Sequence, residues 1–147
     1  MSMRMNLFRA LGMVVAVAAV TGVAPSQDKT LTGRQAEFLK AIEEGKIKEA
    51  YADLLEGSLV LEKKDEIEKL ITQTMKGTEV YGGVTAFEDL GIVRREKHVA
   101  HGMGIVACEK APLYFYFIWY RSKVDAPWRI QNVWFDDNSR SFMEHRK

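Results

Sequence analysis

The chain of 147 residues has little of several residue types, and each shortage excludes a class of protein. A single cysteine, Cys108, excludes an intramolecular disulfide and a cysteine-cluster metal site. Neither sign of charge dominates, because 21 Lys and Arg stand against 20 Asp and Glu. The chain therefore lacks the strongly basic footprint of a nucleic-acid-binding protein. The hydrophobic content of 47% is that of a globular domain and excludes an intrinsically disordered chain.

The beginning of the chain lacks an apolar run long enough to span a membrane. Arg4 and Arg9 precede residues 10–20, which carry no polar side chain. This run is shorter than the roughly 18–20 apolar residues that a spanning helix needs. A basic start followed by a short apolar centre is typical of a secretory signal peptide.

Small residues follow the apolar run and complete the pattern of a signal peptide. Ala24 and Ser26 occupy the two positions that a signal peptidase reads for cleavage before Gln27. We therefore predict a signal peptide over residues 1–26, a folded domain over residues 27–147, and export to the periplasm or the extracellular space. An uncleaved membrane anchor and a helix of the folded domain are the alternatives.

The first half of the predicted domain has the periodicity of helices. Thr32 and Gln35 match a capping box, which predicts that a helix begins at Thr32. Gly45, Gly57 and Gly77 predict the ends of three helices in turn. The apolar positions of these helices are Ala36, Leu39 and Ile42; Ile47, Ala50, Tyr51, Leu54 and Leu55; and Ile67, Leu70, Ile71, Thr74 and Met75.

After the third predicted helix, the sequence takes the pattern of strands. Runs of β-branched and aromatic residues, separated by turn residues, predict strands over residues 84–95, 98–108, 113–120 and 128–135. Gly102 and Gly104 predict a bulge or a bend within the second strand. Connections this short require antiparallel pairing. Helices followed by an antiparallel meander predict a single domain of the α+β class.

The order of these elements and several short segments resemble the nuclear-transport-factor-two-like superfamily. The segments are residues 41–46, 50–51, 82–83, 109–113, 117–121, 128–130 and 135–137. The resemblance implies helices packed into a strongly curved antiparallel sheet that forms a cone. Members of the superfamily include ketosteroid isomerase, dehydratases, polyketide cyclases and binding modules, so the resemblance implies no single function. The catalytic positions of the isomerases do not match this chain residue by residue, and none is transferred.

Two histidines and one aspartate are the candidates for catalysis. His98 and His101 lie three residues apart on a predicted strand, so their side chains point to opposite faces, and no third metal ligand lies nearby. We therefore predict no metal site, and either imidazole is a candidate general base or an ordinary surface histidine. Asp136 is a candidate carboxylate if it faces the interior, and otherwise belongs to a turn with Asp137.

Three further residues have both a structural and a functional interpretation. Glu88 and Asp89 are adjacent on a predicted strand, so one of them points inward or toward the sheet edge. That residue either protects the edge or is a buried carboxylate with a raised pKa. Cys108 has no cysteine partner, and we predict a buried, unreactive thiol.

Nine aromatic residues concentrate within residues 114–135, on the last two predicted strands. Strand alternation divides those of the third strand between its two faces. One set packs against the helices or lines a pocket for an apolar ligand, and the pocket candidates are Phe115, Phe117, Trp119 and Trp134. The other set forms the face of a homodimer, with candidates Tyr114, Tyr116 and Tyr120.

These observations favour an exported binding or interaction module without a cofactor, which binds a small apolar ligand or a protein partner and forms a homodimer. The alternative is a cofactor-independent isomerase, dehydratase or hydrolase acting on a small apolar substrate inside the cone. There His98, His101 or Asp136 would be the base, and a tyrosine hydroxyl would stabilise developing charge. A third hypothesis is an envelope protein tethered by an uncleaved N-terminal helix, the one case in which we expect contact with a membrane.

Overall fold

A computed structural model describes residues 27–146 of the chain, in which helices precede an antiparallel sheet. The helices are α1 (Gln27–Glu43), α2 (Ile47–Leu54), α3 (Lys64–Val80) and α4 (Ser139–His145), with a 3-10 helix (Leu59–Glu62) before α3. The strands are β1 (Val84–Arg94), β2 (Val99–Cys108), β3 (Pro112–Tyr120) and β4 (Arg129–Asp136). The predicted α+β class is confirmed. The predicted signal peptide, residues 1–26, lies outside the described residues.

The four strands form one open antiparallel sheet in the order β1-β2-β3-β4. Their ends agree with the predicted strands to within one residue, because polar and charged residues fill the connections between the β-branched and aromatic runs. The sheet leaves β1 and β4 as its two edges. No helix among residues 27–146 combines the length and the hydropathy that crossing a membrane requires.

The sheet has an inner face, on which α1, α2 and the second half of α3 lie, and an outer face. Phe38 of α1 is the centre of the inner packing, with its ring centroid 5.0 Å from that of Tyr51 on α2. On the sheet side, the same ring lies 5.6 Å from Phe115 and 5.5 Å from Phe117. Phe117 in turn stacks on Trp119, with the ring centroids 6.4 Å apart. The core is therefore a continuous aromatic layer between α1 and β3.

The two glycines of β2 allow α1 to approach the sheet, and they do not form the predicted bulge. Their register with β3 is regular, and the irregularity lies in β1 around Gly91, whose φ is +82°. A Cβ on Gly102 would overlap the side-chain oxygen of Gln35. A Cβ on Gly104 would lie 2.5 Å from Leu39 Cδ1. Glycine is needed at both positions because side chains of α1 occupy the space of a methyl group.

The predicted capping box is wrong, because α1 begins before Thr32 and both of its residues lie within the helix. Gln35 is fully buried and points at the sheet. Its Nε2 atom donates to Asp89 Oδ1 at 2.9 Å and to the carbonyls of Gly91 at 3.0 Å and Met103 at 3.2 Å. The amide therefore ties α1 to the irregular part of β1, where backbone carbonyls lack a regular ladder partner.

The predicted end of α3 at Gly77 is also wrong, because the helix continues to Val80. Gly77 lies against the sheet, where an added Cβ would be 3.5 Å from Leu113 and 3.5 Å from Phe135. The glycine therefore marks a close contact between helix and sheet, and the helix ends three residues later.

The segment after β4 contains a helix that the sequence pattern did not predict. Asn138 caps α4, since its side-chain oxygen accepts from the backbone N–H of Arg140 at 2.9 Å and of Ser141 at 3.5 Å. Phe142 of α4 is buried and stacks on Tyr114, with the ring centroids 4.6 Å apart. The helix α4 therefore covers part of the outer face.

Candidate ligand groove beside β4

Two hollows lie along β4 on the side of the 3-10 helix and α3. The first has a volume of about 280 Å³, and its lining includes Ser58, Leu59, Val60, Tyr120, Arg129 and Ile130. The second has a volume of about 250 Å³, and its lining includes Ile67, Leu70, Asn132 and Val133. Val60 lines both hollows. We name the two hollows together the β4 groove.

The 3-10 helix forms one wall of the β4 groove and is fastened to the strand by a buried serine. The hydroxyl of Ser58 donates to the carbonyl of Ile130 at 2.6 Å and accepts from the N–H of Val60 at 3.1 Å. Leu59 follows directly, and 79% of this large apolar side chain is exposed. Tyr120 at the end of β3 is 44% exposed. The wall therefore presents apolar surface to solvent at a fixed position.

Helix α3 packs loosely beside the second hollow. Its buried residues are two threonines, Thr74 and Thr78, whose hydroxyls donate to backbone carbonyls of the same helix. Thr74 also accepts a hydrogen bond from the hydroxyl of Tyr51 at 2.8 Å. The apolar residues Ile67 and Leu70 are only half-buried. The first half of α3 thus leaves open apolar space against β4.

The charge of the first hollow is concentrated on one residue. Arg129 is exposed and is the only charged residue that lines this hollow. It forms no ion pair with a carboxylate of residues 27–146. Its Nε atom would lie 3.5 Å from a Cβ placed on Gly57, whose φ is +73°. That is an ordinary contact distance, so glycine is favoured here by its backbone conformation, which other residues rarely adopt.

A half-buried arginine near α2 has a structural function instead. Arg34 donates to the carbonyls of Trp128 and Leu54, each at 2.8 Å, and its guanidinium carbon lies 5.1 Å from the ring centroid of Trp119. Burial lowers the pKa of Arg34. The cavity beside it has a volume of about 40 Å³, enough for one or two water molecules and too small for a ligand.

The two histidines lie apart from the β4 groove. His98 is exposed, and its Nδ1 atom is 3.0 Å from the carbonyl oxygen of Arg121. His101 is exposed and pairs with Ile118 across β2 and β3, which places it on the outer face. Partial burial, together with the nearby charges of Arg95 and His145, lowers the pKa of His101. Neither imidazole lines either hollow.

Asp136 lies on the outer face as well, opposite Tyr114. The partner of His101 on β3 is Ile118, four residues from Tyr114, so the two candidates are separated by about 13 Å along the strand. The carboxylate of Asp136 accepts a hydrogen bond from the N–H of Asn138 at 3.1 Å. The structure therefore does not bring the catalytic candidates together.

The remaining candidates for chemistry have structural contacts. Glu88 is exposed, whereas Asp89 is half-buried and accepts hydrogen bonds from Gln35 and from the N–H of Gly91, both at 2.9 Å. Cys108 is buried, and burial raises the pKa of its thiol. Residues 27–146 contain no group of three or more His, Cys, Asp or Glu placed to hold a metal ion.

The four aromatic pocket candidates divide between the two faces of the sheet. Phe115, Phe117 and Trp119 lie together on the inner face and are fully buried among the protein's own side chains. Trp134 pairs with Tyr116 and stacks on it on the outer face, with the ring centroids 5.2 Å apart. None of the four lines the β4 groove. A ligand between them stays a prediction.

The three tyrosines proposed for a dimer face have different surroundings. Tyr114 stacks on Phe142 of α4, and Tyr116 is buried with its ring centroid 4.8 Å from that of His145. Burial and the nearby charge of Asp136 raise the pKa of Tyr116 to about 12. Tyr120 is exposed and lines the first hollow. The homodimer stays a prediction.

The sequence did not group the residues of the β4 groove, since no motif connects them: Tyr120 was a dimer-face candidate, and Ile67 and Leu70 were helix positions. Ser58 and Ile130 are 72 residues apart. One sequence feature pointed to this region: Leu59 and Leu61 lie between two helices, outside the apolar stripe of either. Comparisons of the chain with protein-family models, with curated proteins and with solved structures found no match. The function is therefore argued from the groove itself.

Proposed function

We propose that the protein is a small exported binding module that holds an apolar small molecule in the β4 groove. The observation that carries the proposal is the hollow of about 280 Å³ whose wall includes Leu59, 79% exposed. Concave sites lined mainly by apolar side chains, with a few polar groups, are the usual form of small-molecule sites. The volume is close to the lower end of the range of ~300–1,000 Å³ for such sites, which favours a small ligand.

The proposal places the ligand beside β4 because the inner face is already filled. Phe115, Phe117 and Trp119 contact the protein's own aromatic rings, so a ligand there would have to displace the core. The β4 groove is open without any such rearrangement. Apolar side chains at its wall would lose contact with water when a ligand binds, and this transfer is favourable.

We further propose that the sheet curves into a cone of the nuclear-transport-factor-two-like type and that residues 1–26 direct export. The close packing of α1 on the sheet at Gly102 and Gly104 supports a helix seated in a curved sheet. The basic start and short apolar run of residues 1–26 support export. The enzymatic alternative has less support, since His98, His101 and Asp136 share no hollow among those described along the sheet.

A thermal-shift screen of the full-length chain tests the proposed function. The panel consists of steroids, fatty acids and aromatic acids, each used with the wild type and two tryptophan variants. Val60→Trp fills the point that the two hollows share, and Val93→Trp adds the same side chain to an exposed position of β1 (Val93 is 56% exposed). At 100 times its dissociation constant a ligand adds about 2.7 kcal/mol, which raises Tm by roughly 8–15 °C.

We expect at least one class of compound to raise Tm in the wild type and in Val93→Trp but not in Val60→Trp. A shift that survives Val60→Trp would place the ligand elsewhere and contradict the proposal. Absence of any shift across the panel would also contradict it.

A further inference from the structure

We infer that the β4 groove selects amphipathic anions, with the carboxylate of a medium-chain acid paired with Arg129 and its alkyl chain along the groove. This inference rests on the proposed function and specifies its ligand class. Three features carry it: the single charge at an apolar hollow, the freedom of that charge from protein partners, and the continuity of apolar lining into the second hollow.

The charge at the first hollow is positive and isolated. Arg129 is its only charged lining residue, and the other lining side chains are apolar or neutral. The second hollow carries Glu66 and Lys69, so both signs are present there and neither dominates. A negatively charged group is therefore attracted to one end of the groove only, which gives a bound amphiphile a defined direction.

The guanidinium of Arg129 is available, in contrast to the half-buried Arg34 and the buried Arg121. Arg34 is held by two backbone carbonyls and lies over Trp119. Arg121 donates to the carbonyls of Lys97 and Val124, each at 2.7 Å, and is only 6% exposed. Arg129 makes no ion pair with a described carboxylate and is exposed.

A guanidinium beside an apolar wall favours a carboxylate over other head groups. The planar fork of arginine binds a carboxylate through two parallel hydrogen bonds, each assisted by charge. The neighbouring hydroxyl of Ser58 already donates to Ile130 and accepts from Val60, so it is committed to the fold. An alcohol carries no charge to pair with the guanidinium and offers a single oxygen to its fork, and an ammonium group would be repelled.

The alkyl chain has an apolar path away from the charge. Leu59, Val60 and Ile130 line the first hollow, and Val60 also lines the second, together with Ile67 and Leu70. Each methylene that enters this path leaves water, which corresponds to up to about fourfold tighter binding. Affinity should therefore rise with chain length until the groove is filled.

Isothermal titration calorimetry of the full-length chain with octanoate, 1-octanol and octylamine tests this inference. The variants are Arg129→Gln, Val60→Trp and the control Arg140→Gln, which removes the same charge from an exposed position of α4. Circular dichroism confirms that each variant is folded. Hexanoate and decanoate extend the series to test the dependence on chain length.

We expect octanoate to bind the wild type about tenfold more tightly than 1-octanol, and octylamine to bind more weakly than either. Arg129→Gln should remove the preference for octanoate and leave the affinity for 1-octanol unchanged, whereas Arg140→Gln should change neither. Added salt should weaken octanoate alone.

Three outcomes would overturn the inference, and they are distinguishable. The first outcome is that Val60→Trp abolishes binding but the anion preference is absent. Either octanoate and 1-octanol then bind equally, or Arg129→Gln leaves octanoate binding unchanged. In that case the anion selectivity fails and the groove remains a binding site. If none of the three compounds binds while another compound of the thermal-shift panel binds and is lost in Val60→Trp, the inference alone fails. If binding survives Val60→Trp, or no compound of either set binds, both the selectivity and the proposed function fail.

Discussion

The inner face of the sheet and the β4 groove are built from similar residue types with opposite packing. Under α1, aromatic rings contact one another at 5.0–5.6 Å around Phe38, and glycines let the helix approach the strands. Beside β4, Leu59 is 79% exposed, and α3 buries only two threonines. Apolar side chains are buried against one another in the first region and are partly exposed to solvent in the second.

This difference separates the part of the molecule that stabilises the fold from the part that is free to bind. Stability within a protein is unevenly distributed, and binding regions are drawn from its less tightly packed parts. A substitution under α1 should therefore change the free energy of unfolding, whereas a substitution in the β4 groove should change ligand binding with little effect on folding. Four predictions test this contrast.

The largest effect is expected from the centre of the inner face. Phe117→Ala removes a fully buried ring and should lower the free energy of unfolding by about 3–5 kcal/mol. Leu59→Ala in the β4 groove should lower it by less than about 0.5 kcal/mol, because that side chain is mostly exposed. Urea denaturation measures both values. If Phe117→Ala does not fold, Phe117→Leu should show a smaller loss of the free energy of unfolding. Equal losses for the Phe117 variant and for Leu59→Ala would contradict the comparison of the two regions.

The close approach of α1 gives the second prediction. Gly102→Ala places a methyl group on the side chain of Gln35 and should cost about 1–3 kcal/mol of stability. The matched control is Gly33→Ala on α1, the helix that carries Gln35, where an added Cβ meets nothing within 4 Å. That substitution should raise stability by up to about 1 kcal/mol, since alanine favours the helix. Equal effects in chemical denaturation would show that β2 does not need glycine there.

The attachment of α3 gives the third prediction. Tyr51→Phe removes the hydrogen bond to Thr74 and should lower the free energy of unfolding by about 0.5–1.5 kcal/mol. Hydrogen exchange should become faster in α3 and stay unchanged in α1. The control Tyr81→Phe removes a hydroxyl that bonds Asp137 at the surface and should have an effect below about 0.5 kcal/mol. Unchanged exchange in α3 would mean that other contacts hold the helix.

The smallest effect at neutral pH is expected on the outer face. The buried hydroxyl of Tyr116 makes no hydrogen bond of good geometry, so Tyr116→Phe should leave stability near pH 7 almost unchanged. The pKa of Tyr116 is raised from 10.0 to about 12 in the folded protein. Because the unfolded chain ionises first as the pH rises above 10.0, the wild type loses stability in this range.

The variant should lose less stability than the wild type between pH 8 and pH 11, since phenylalanine does not ionise. Unfolding in urea at the two pH values measures this difference. Tyr120→Phe is the control, because it removes the same hydroxyl from a side chain that is 44% exposed. Identical pH dependence in Tyr116→Phe and the wild type would contradict the burial of this hydroxyl.

The strands were predictable because their signals are local. Pro112 is the first residue of β3 and Pro127 lies in the connection to β4, and the aromatic run between them fits a strand buried on both faces. The apolar stripes of α1 and α2 are also local and predicted both helices. Gln35 was misinterpreted because its partner, Asp89, is 54 residues away. The local sequence is the same whether the amide caps a helix or forms hydrogen bonds with a sheet.

Two other elements were missed for physical reasons that differ. The short helix α4 carries Phe142 as its only buried residue, so it has no apolar repeat, and the preceding Asp136 and Asp137 are typical of a turn. The β4 groove exists only because the 3-10 helix reaches the edge of the sheet through Ser58. Such a contact is decided by the packing of the whole chain and has no counterpart in local periodicity.

Hydrogen exchange of the full-length chain with and without octanoate tests the central claim most directly. We predict that octanoate slows exchange in residues 57–73 and 129–133, which border the β4 groove, and leaves β2 and the middle of β3 unchanged. Slowed exchange confined to α4 and to Tyr114 and Tyr116 would place the binding surface on the outer face. That result, or no change anywhere, would contradict the account.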